Sequence, residues 1–101
     1  MAMLVQKYGG TSIADPQRIQ DVAARIGMAH DEGNNIVVVV SAMGHTTDHL
    51  IQQAQEISRN PDPRELDLLL STGEIVSCTL MAIALRARGY NAISLSGGQL
   101  L

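Results

Sequence analysis

Ile36-Val37-Val38-Val39-Val40 is an unbroken run of β-branched residues. Such side chains favour strands. The run shows no alternation of apolar and polar positions, so it predicts a strand apolar on both faces and covered on both, as in the centre of a parallel sheet. Parallel strands need crossover connections, usually helices. The flanking sequence predicts them. Upstream, Gly33 is a helix stop, and Ile19, Val22, Ala23, Ile26 and Ala29 form one apolar stripe at close to helical spacing. Asp15-Pro16 opens that helix, with Asp as N-cap and Pro at the first helical position. Before it, Met3 to Tyr8 predicts a first strand that ends in a glycine turn.

Downstream, Ser41-Ala42-Met43-Gly44-His45-Thr46-Thr47-Asp48 leaves the central strand. A helix is expected from Thr46 or Thr47 to about Arg59, with Leu50, Ile51, Ala54 and Ile57 inward. Asn60-Pro61-Asp62-Pro63 breaks it and caps a short helix from Arg64 to Leu70. Ser71-Thr72-Gly73-Glu74 then matches a capping box. The helix behind it, Ile75 to Arg88, is apolar on nearly every side and should be buried. Gly89 ends it, and Ala92 to Ser96 predicts a third strand, followed by Gly97-Gly98. The order β-α-β-α-α-α-β predicts an α/β fold with a mainly parallel sheet and right-handed crossovers. Three strands are few for one sheet, and its faces and an edge need more chain to cover them.

The bulk composition bounds the function. Net charge is −3, from 10 acidic and 7 basic side chains. That argues against nucleic acid or an anionic membrane as the main partner. Two Tyr with no Trp or Phe leave little for stacking on bases. The 101 residues make one small domain. The single Cys78 excludes an internal disulfide, suits a reducing cytosol and reads as a packed thiol. The start, Met1-Ala2-Met3-Leu4, lacks the pattern of a signal peptide. The longest strictly apolar run, Leu80 to Leu85, is six residues, which predicts no membrane span.

In a parallel α/β sheet, ligands bind beyond the carboxyl ends of the strands. Three polar, glycine-containing segments are expected there: Lys7-Tyr8-Gly9-Gly10-Thr11-Ser12, Ser41 to Asp48, and Ser96 to Gln99. Glu74 can face the same rim. In the first segment, adjacent glycines let the backbone approach a bound group, and successive peptide N–H groups can converge on an anion. Lys7 adds a charge, and Thr11 and Ser12 add hydroxyl donors. That chemistry suits a phosphate, although the lysine precedes the glycines, unlike a Walker loop. Read alone, the glycine pair is more readily a strand–turn–helix corner, Thr46 and Thr47 can equally be helix caps, and Glu74 can simply close its capping box. His45 and His49 share a helix spacing, but no third ligand accompanies them, so no metal site is predicted.

Together, Lys7 to Ser12, Ser41-Ala42-Met43-Gly44 with Thr46-Thr47-Asp48, and Leu70-Ser71-Thr72-Gly73-Glu74 resemble the start of the aspartokinases, within the amino-acid-kinase superfamily. The likeness runs to about Gln99, and the ending Gly98-Gln99-Leu100-Leu101 departs from the family pattern. It implies a three-layer αβα sandwich, here incomplete. It also implies transfer of the γ-phosphoryl group of MgATP to the side-chain carboxylate of L-aspartate, in a cytoplasmic enzyme of lysine, threonine and methionine synthesis. On this resemblance Lys7 would be catalytic, neutralising phosphoryl oxygens. Lys7, Tyr8, Gly9, Gly10, Thr11 and Ser12 would bind ATP, and Ser41, Thr47 and Glu74 would bind aspartate, Glu74 through the α-ammonium. Family chains are several hundred residues long, so residues 1–101 would be the N-terminal part of the catalytic domain, without the half that holds adenine and ribose and without regulatory domains. Such a piece is expected to be inactive alone and to self-associate or await the remainder. Two other readings stand: a non-catalytic α/β module that associates through an exposed edge or face, and a superfamily kinase for another small acid or carbamate.

Overall fold

The computed structural model describes residues 2–95. Two strands, β1 (Met3–Tyr8) and β2 (Asn35–Val40), pair in parallel, with Met3 opposite Asn35 and Tyr8 opposite Val40. Helix α1 (Pro16–Asp31) connects them. The Asp15 side chain accepts from the Arg18 N–H at 2.9 Å and caps α1. Gly33 ends the helix region with φ +96°, a conformation that suits glycine. The predicted stripe faces inward: Ile19, Val22, Ala23 and Ile26 are buried, together with Gly27.

Helix α2 (Gly44–Ile57) follows β2, and α3 (Pro63–Ala87) follows α2. Here the structure corrects the expectation. The segments 64–70 and 75–88 are one continuous helix of 25 residues. The N-cap is Asp62, whose carboxylate accepts from the Glu65 N–H at 3.1 Å. Ser71 therefore starts nothing. Its Oγ donates back to the Leu68 carbonyl at 2.6 Å, and Thr72 Oγ1 donates to Leu69. Ser and Thr can make such local bonds inside a helix that is already running. Likewise α2 begins at Gly44, so Thr46 and Thr47 lie in its first turn rather than at its cap. Leu50, Ile51 and Ala54 are half-buried, while Ile57, at the helix end, is 89% exposed.

Helices α1 and α3 pack on each other and on one face of β2, the face of Ile36, Val38 and Val40. Gly73, Ser77, Met81 and Leu85, four residues apart, form the buried stripe of α3. Buried Ser77 is satisfied, its Oγ donating to the Gly73 carbonyl at 3.2 Å. At its end, Gly89 has φ +92°; the Tyr90 N–H reaches the Leu85 carbonyl and the Gly89 N–H reaches that of Arg86. This is the Schellman pattern that glycine permits.

The α/β class with a parallel sheet is observed, and residues 2–95 supply two of its layers. The described residues leave the second face of β2 uncovered: Val37 and Val39 are 45% and 46% exposed, beside exposed Met3 and Val5. Helix α3 also shows an outer apolar face, with Leu68, Ile75, Val76 and Ile83 exposed. The radius of gyration is 15.3 Å, against about 13 Å for a compact domain of 100 residues. The α3 helix is long and apolar enough to cross a membrane by length and composition, a property that core helices share. Its Ser, Thr and Gly residues break the strictly apolar run, yet the mean hydropathy stays at 1.8. The predicted third strand does not form over Asn91–Leu95, which is neither helix nor strand. Its segment instead lines a cavity of about 250 Å³, walled by Ile26, Val38, Met81 and Leu85. Strand geometry depends on ladder bonds, and among the described residues these make none. Ser96 to Gln99, and the rest of the ending to Leu101, lie outside the described residues.

Candidate functional site

The carboxyl end of β1 runs into Gly9 and then a single 3-10 turn, Gly10–Ile13. The Ser12 N–H donates to the Gly9 carbonyl at 3.0 Å and closes the turn. Buried Ile13 anchors it to the core. The Ser41 N–H donates to the Tyr8 carbonyl at 3.1 Å, which carries the pairing one residue past β2. Ser41 is thereby held beside the glycines. A Cβ on Gly9 would stand 3.7 Å from Ser41 Oγ. One on Gly10 would stand 2.9 Å from Gly44 Cα and 3.7 Å from the Ala42 carbonyl oxygen. The close approach, rather than a positive φ, is what requires glycine at Gly10.

The third segment joins at the same place. A Cβ on buried Gly73 would lie 2.9 Å from Ala42 Cβ and 3.4 Å from Thr46 Cγ2. Ala42 thus touches the glycine turn on one side and α3 on the other. Three segments far apart in sequence, 9–10, 41–46 and 73, meet around it. Glu74 is the next residue on α3 and is exposed.

The candidate side chains are not equivalent. Lys7 is exposed and opposite Val39, on the bare face of the sheet. It has no ion pair or side-chain hydrogen bond among the described residues, so its ammonium is available. Tyr8 points the other way. It is half-buried against the core, and its hydroxyl donates to Gln6 Oε1 at 3.1 Å. Thr11 and Ser12 are exposed on the turn. Ser41 is exposed, its Oγ donating to the Ala42 carbonyl at 3.4 Å. Thr47 is half-buried in the first turn of α2. No side chain caps α2, whose N-cap is Met43. Its first turn adjoins Gly10, and a helix N-terminus favours negative charge. The turn can therefore offer an anion peptide N–H groups and the positive end of α2, while Lys7, two residues before Gly9, projects from the bare face of the sheet.

Sequence reasoning passed over Arg18. Its Nη1 donates to the Thr11 carbonyl at 2.7 Å, and its Nε lies 3.5 Å from Asp15 Oδ2. It ties the glycine turn to the start of α1. Its position three residues after the N-cap Asp15 was the available signal. His45 and His49 are exposed, and among the described residues no three His, Cys, Asp or Glu side chains converge to hold a metal. The 250 Å³ cavity is elsewhere, and so is an open hollow between α2 and α3 near Ile57 and Leu69.

The family model described as the amino acid kinase family matches residues 2–100. An aspartokinase of Geobacillus stearothermophilus is 54% identical over 99 residues, covering 98% of this chain and 24% of its own length. Aspartokinase 2 of Bacillus subtilis is 46% identical over the same shares. The crystal structure of aspartate kinase from Synechocystis superposes with a TM-score of 0.90 at 54% identity, over 94% of this chain and 16% of that one. The chain spans about a quarter of the length of the curated relatives it matches.

Proposed function

The chain belongs to the amino acid kinase family, and from that premise we propose that it contributes the phosphate-binding and aspartate-binding elements of an aspartate kinase. The reaction moves the γ-phosphoryl group of ATP to the side-chain carboxylate of L-aspartate and yields 4-phospho-L-aspartate and ADP. The observation that carries this reading is the meeting of Gly9-Gly10, Ser41–Thr46 and Gly73 around Ala42.

A carboxylate nucleophile has no proton to lose, so the site needs no general base. Phosphoryl transfer then depends on alignment and on neutralising charge. Gly9 and Gly10 would give peptide N–H donors to the phosphates. Lys7 would offset the charge shifting onto phosphoryl oxygens. Ser41, between the glycine turn and α2, would line the place where the two substrates meet. Thr47 and Glu74 would hold aspartate, Glu74 through the α-ammonium. Tyr8 would contribute by its backbone, since its side chain is packed inward. Magnesium would arrive with the nucleotide, held largely by its phosphates.

The bare faces bear on partners. An uncovered apolar sheet face and an uncovered face of α3 support association, either with further kinase chain or with a second copy. The same faces favour the second reading, an α/β association module without catalysis. The likeness to aspartokinases supports a cytoplasmic location. Calorimetry with L-aspartate and with ATP tests the kinase reading. Glu74→Gln should weaken aspartate binding and leave ATP binding in place. Equal losses for both ligands would refute the role of Glu74, and self-association without any ligand response would favour the module.

A further inference from the structure

We propose that Gly73 is a positioning residue for aspartate: its contact with Ala42 sets where Glu74 stands relative to Ser41 and Thr47. The inference rests on the aspartate-kinase reading above and names a residue with no ligand-binding group of its own.

An interior glycine weakens a helix relative to alanine. Gly73 lies near the middle of α3, so its helix gains nothing from it. The reason for a glycine is outside the helix. Ala42 Cβ and Thr46 Cγ2 occupy the space next to Gly73 that a side chain would need, at 2.9 and 3.4 Å from its Cβ position. A real Cβ would push α3 away from the segment that follows β2. That segment cannot retreat, because its other side is in backbone contact with the glycine turn, where Gly10 meets Gly44. Residues 41–46 therefore act as a spacer one backbone thick. The phosphate turn abuts one side and the helix of Glu74 abuts the other. Lifting α3 would move Glu74 away from Thr47 while leaving Gly9 and Gly10 in place.

Two ligands and two substitutions test this on the full 101-residue chain, with melting followed by circular dichroism. Gly73→Ala is expected to weaken L-aspartate about tenfold, below the roughly hundredfold that a misplacement of about 1 Å can cost, with ATP affinity held. Adding Ala42→Gly to Gly73→Ala removes the crowding methyl and should recover most of the loss. A purely structural role predicts a change in melting temperature with no split between the ligands. Unchanged aspartate affinity in Gly73→Ala overturns the proposal, as does a loss that Ala42→Gly fails to rescue. If Gly73→Ala does not fold, Ala42→Gly alone carries the test: it opens slack behind Gly73 and should lower aspartate affinity while ATP affinity holds, and an unaltered aspartate affinity overturns the proposal. A wild-type chain that takes up no aspartate overturns the kinase reading, and this inference with it.

Discussion

Gly10 and Gly44 touch each other, yet the structure predicts opposite outcomes when each is changed to alanine. On Gly10, the new Cβ would meet Gly44 Cα at 2.9 Å and Gly44 N at 3.1 Å. Carbon contacts are comfortable at about 3.5–4.0 Å, so the two backbones would have to part by roughly 0.5–1 Å. Neither side is a flexible side chain that could swing aside. Overpacking of this kind costs about 1–3 kcal/mol. Against it stands about 0.4–1 kcal/mol gained by restricting the unfolded chain, since Gly10 does not have a positive φ. The net loss is roughly 0–2.6 kcal/mol by these two terms. On Gly44, the Cβ would meet Gly10 at 3.7–3.9 Å, an ordinary contact. Gly44→Ala keeps the unfolded-state gain and should be neutral or stabilising. Urea denaturation of the two variants beside the wild type reads the difference. Equal effects, or a stabilised Gly10→Ala, would refute the claim that the glycine turn and α2 are in backbone contact. Gly10→Ala should also weaken ATP binding, because the peptide amides offered to the phosphates would move.

Asp62→Ala removes the side-chain cap of α3 and should cost about 1 kcal/mol in urea denaturation, whereas Ser71→Ala, at the sequence-predicted cap, should cost less. The Tyr90 hydroxyl donates to Asp31 Oδ2 at 2.8 Å, and that bond, with burial, holds its pKa above the ordinary value of 10.0. Because the folded value is the higher one, the contribution to stability is present below pH 10.0 and is lost as pH rises through the folded value. Melting across that range should fall more steeply in the wild type than in Tyr90→Phe. A Cβ on Gly27 would come within 2.5 Å of the same hydroxyl. Gly27→Ala should therefore expel the Tyr90 ring, and spectrophotometric titration should find its pKa nearer 10.0.

Local signals were the legible part of this fold. Asp15-Pro16, the apolar stripe of α1, Gly33 and Gly89 each act within one or two turns, and each works as read. What escaped depended on tertiary context. Ser71 and Glu74 have capping-box spacing, but a cap matters only where a helix begins, and Asp62 had already begun this one. The glycine at position 73 reads as a breaker in one dimension and as a packing contact with Ala42 in three. Residues 92–95 have strand composition, yet a strand exists only through its ladder, which they do not make among the described residues. The β-branched run Ile36 to Val40 announced two covered faces, and residues 2–95 cover one. For the candidate site, the motif segments were legible as a family resemblance, and their meeting at Ala42 was not. For Arg18 only the spacing from Asp15 was legible, and its bond to the Thr11 carbonyl, which joins two turns that the sequence treats separately, was not.

The central claim is that the glycine turn and the middle of α3, at Gly73 and Glu74, face two different ligands across residues 41–46. Nuclear magnetic resonance of the ¹⁵N-labelled chain tests it most directly. The account predicts that ATP shifts the amides of Gly9, Gly10 and Gly44, and that L-aspartate shifts those of Thr47 and Glu74. Shifts from both ligands confined to the cavity lined by Ile26, Met81 and Tyr90, with the glycine turn unmoved, would contradict it.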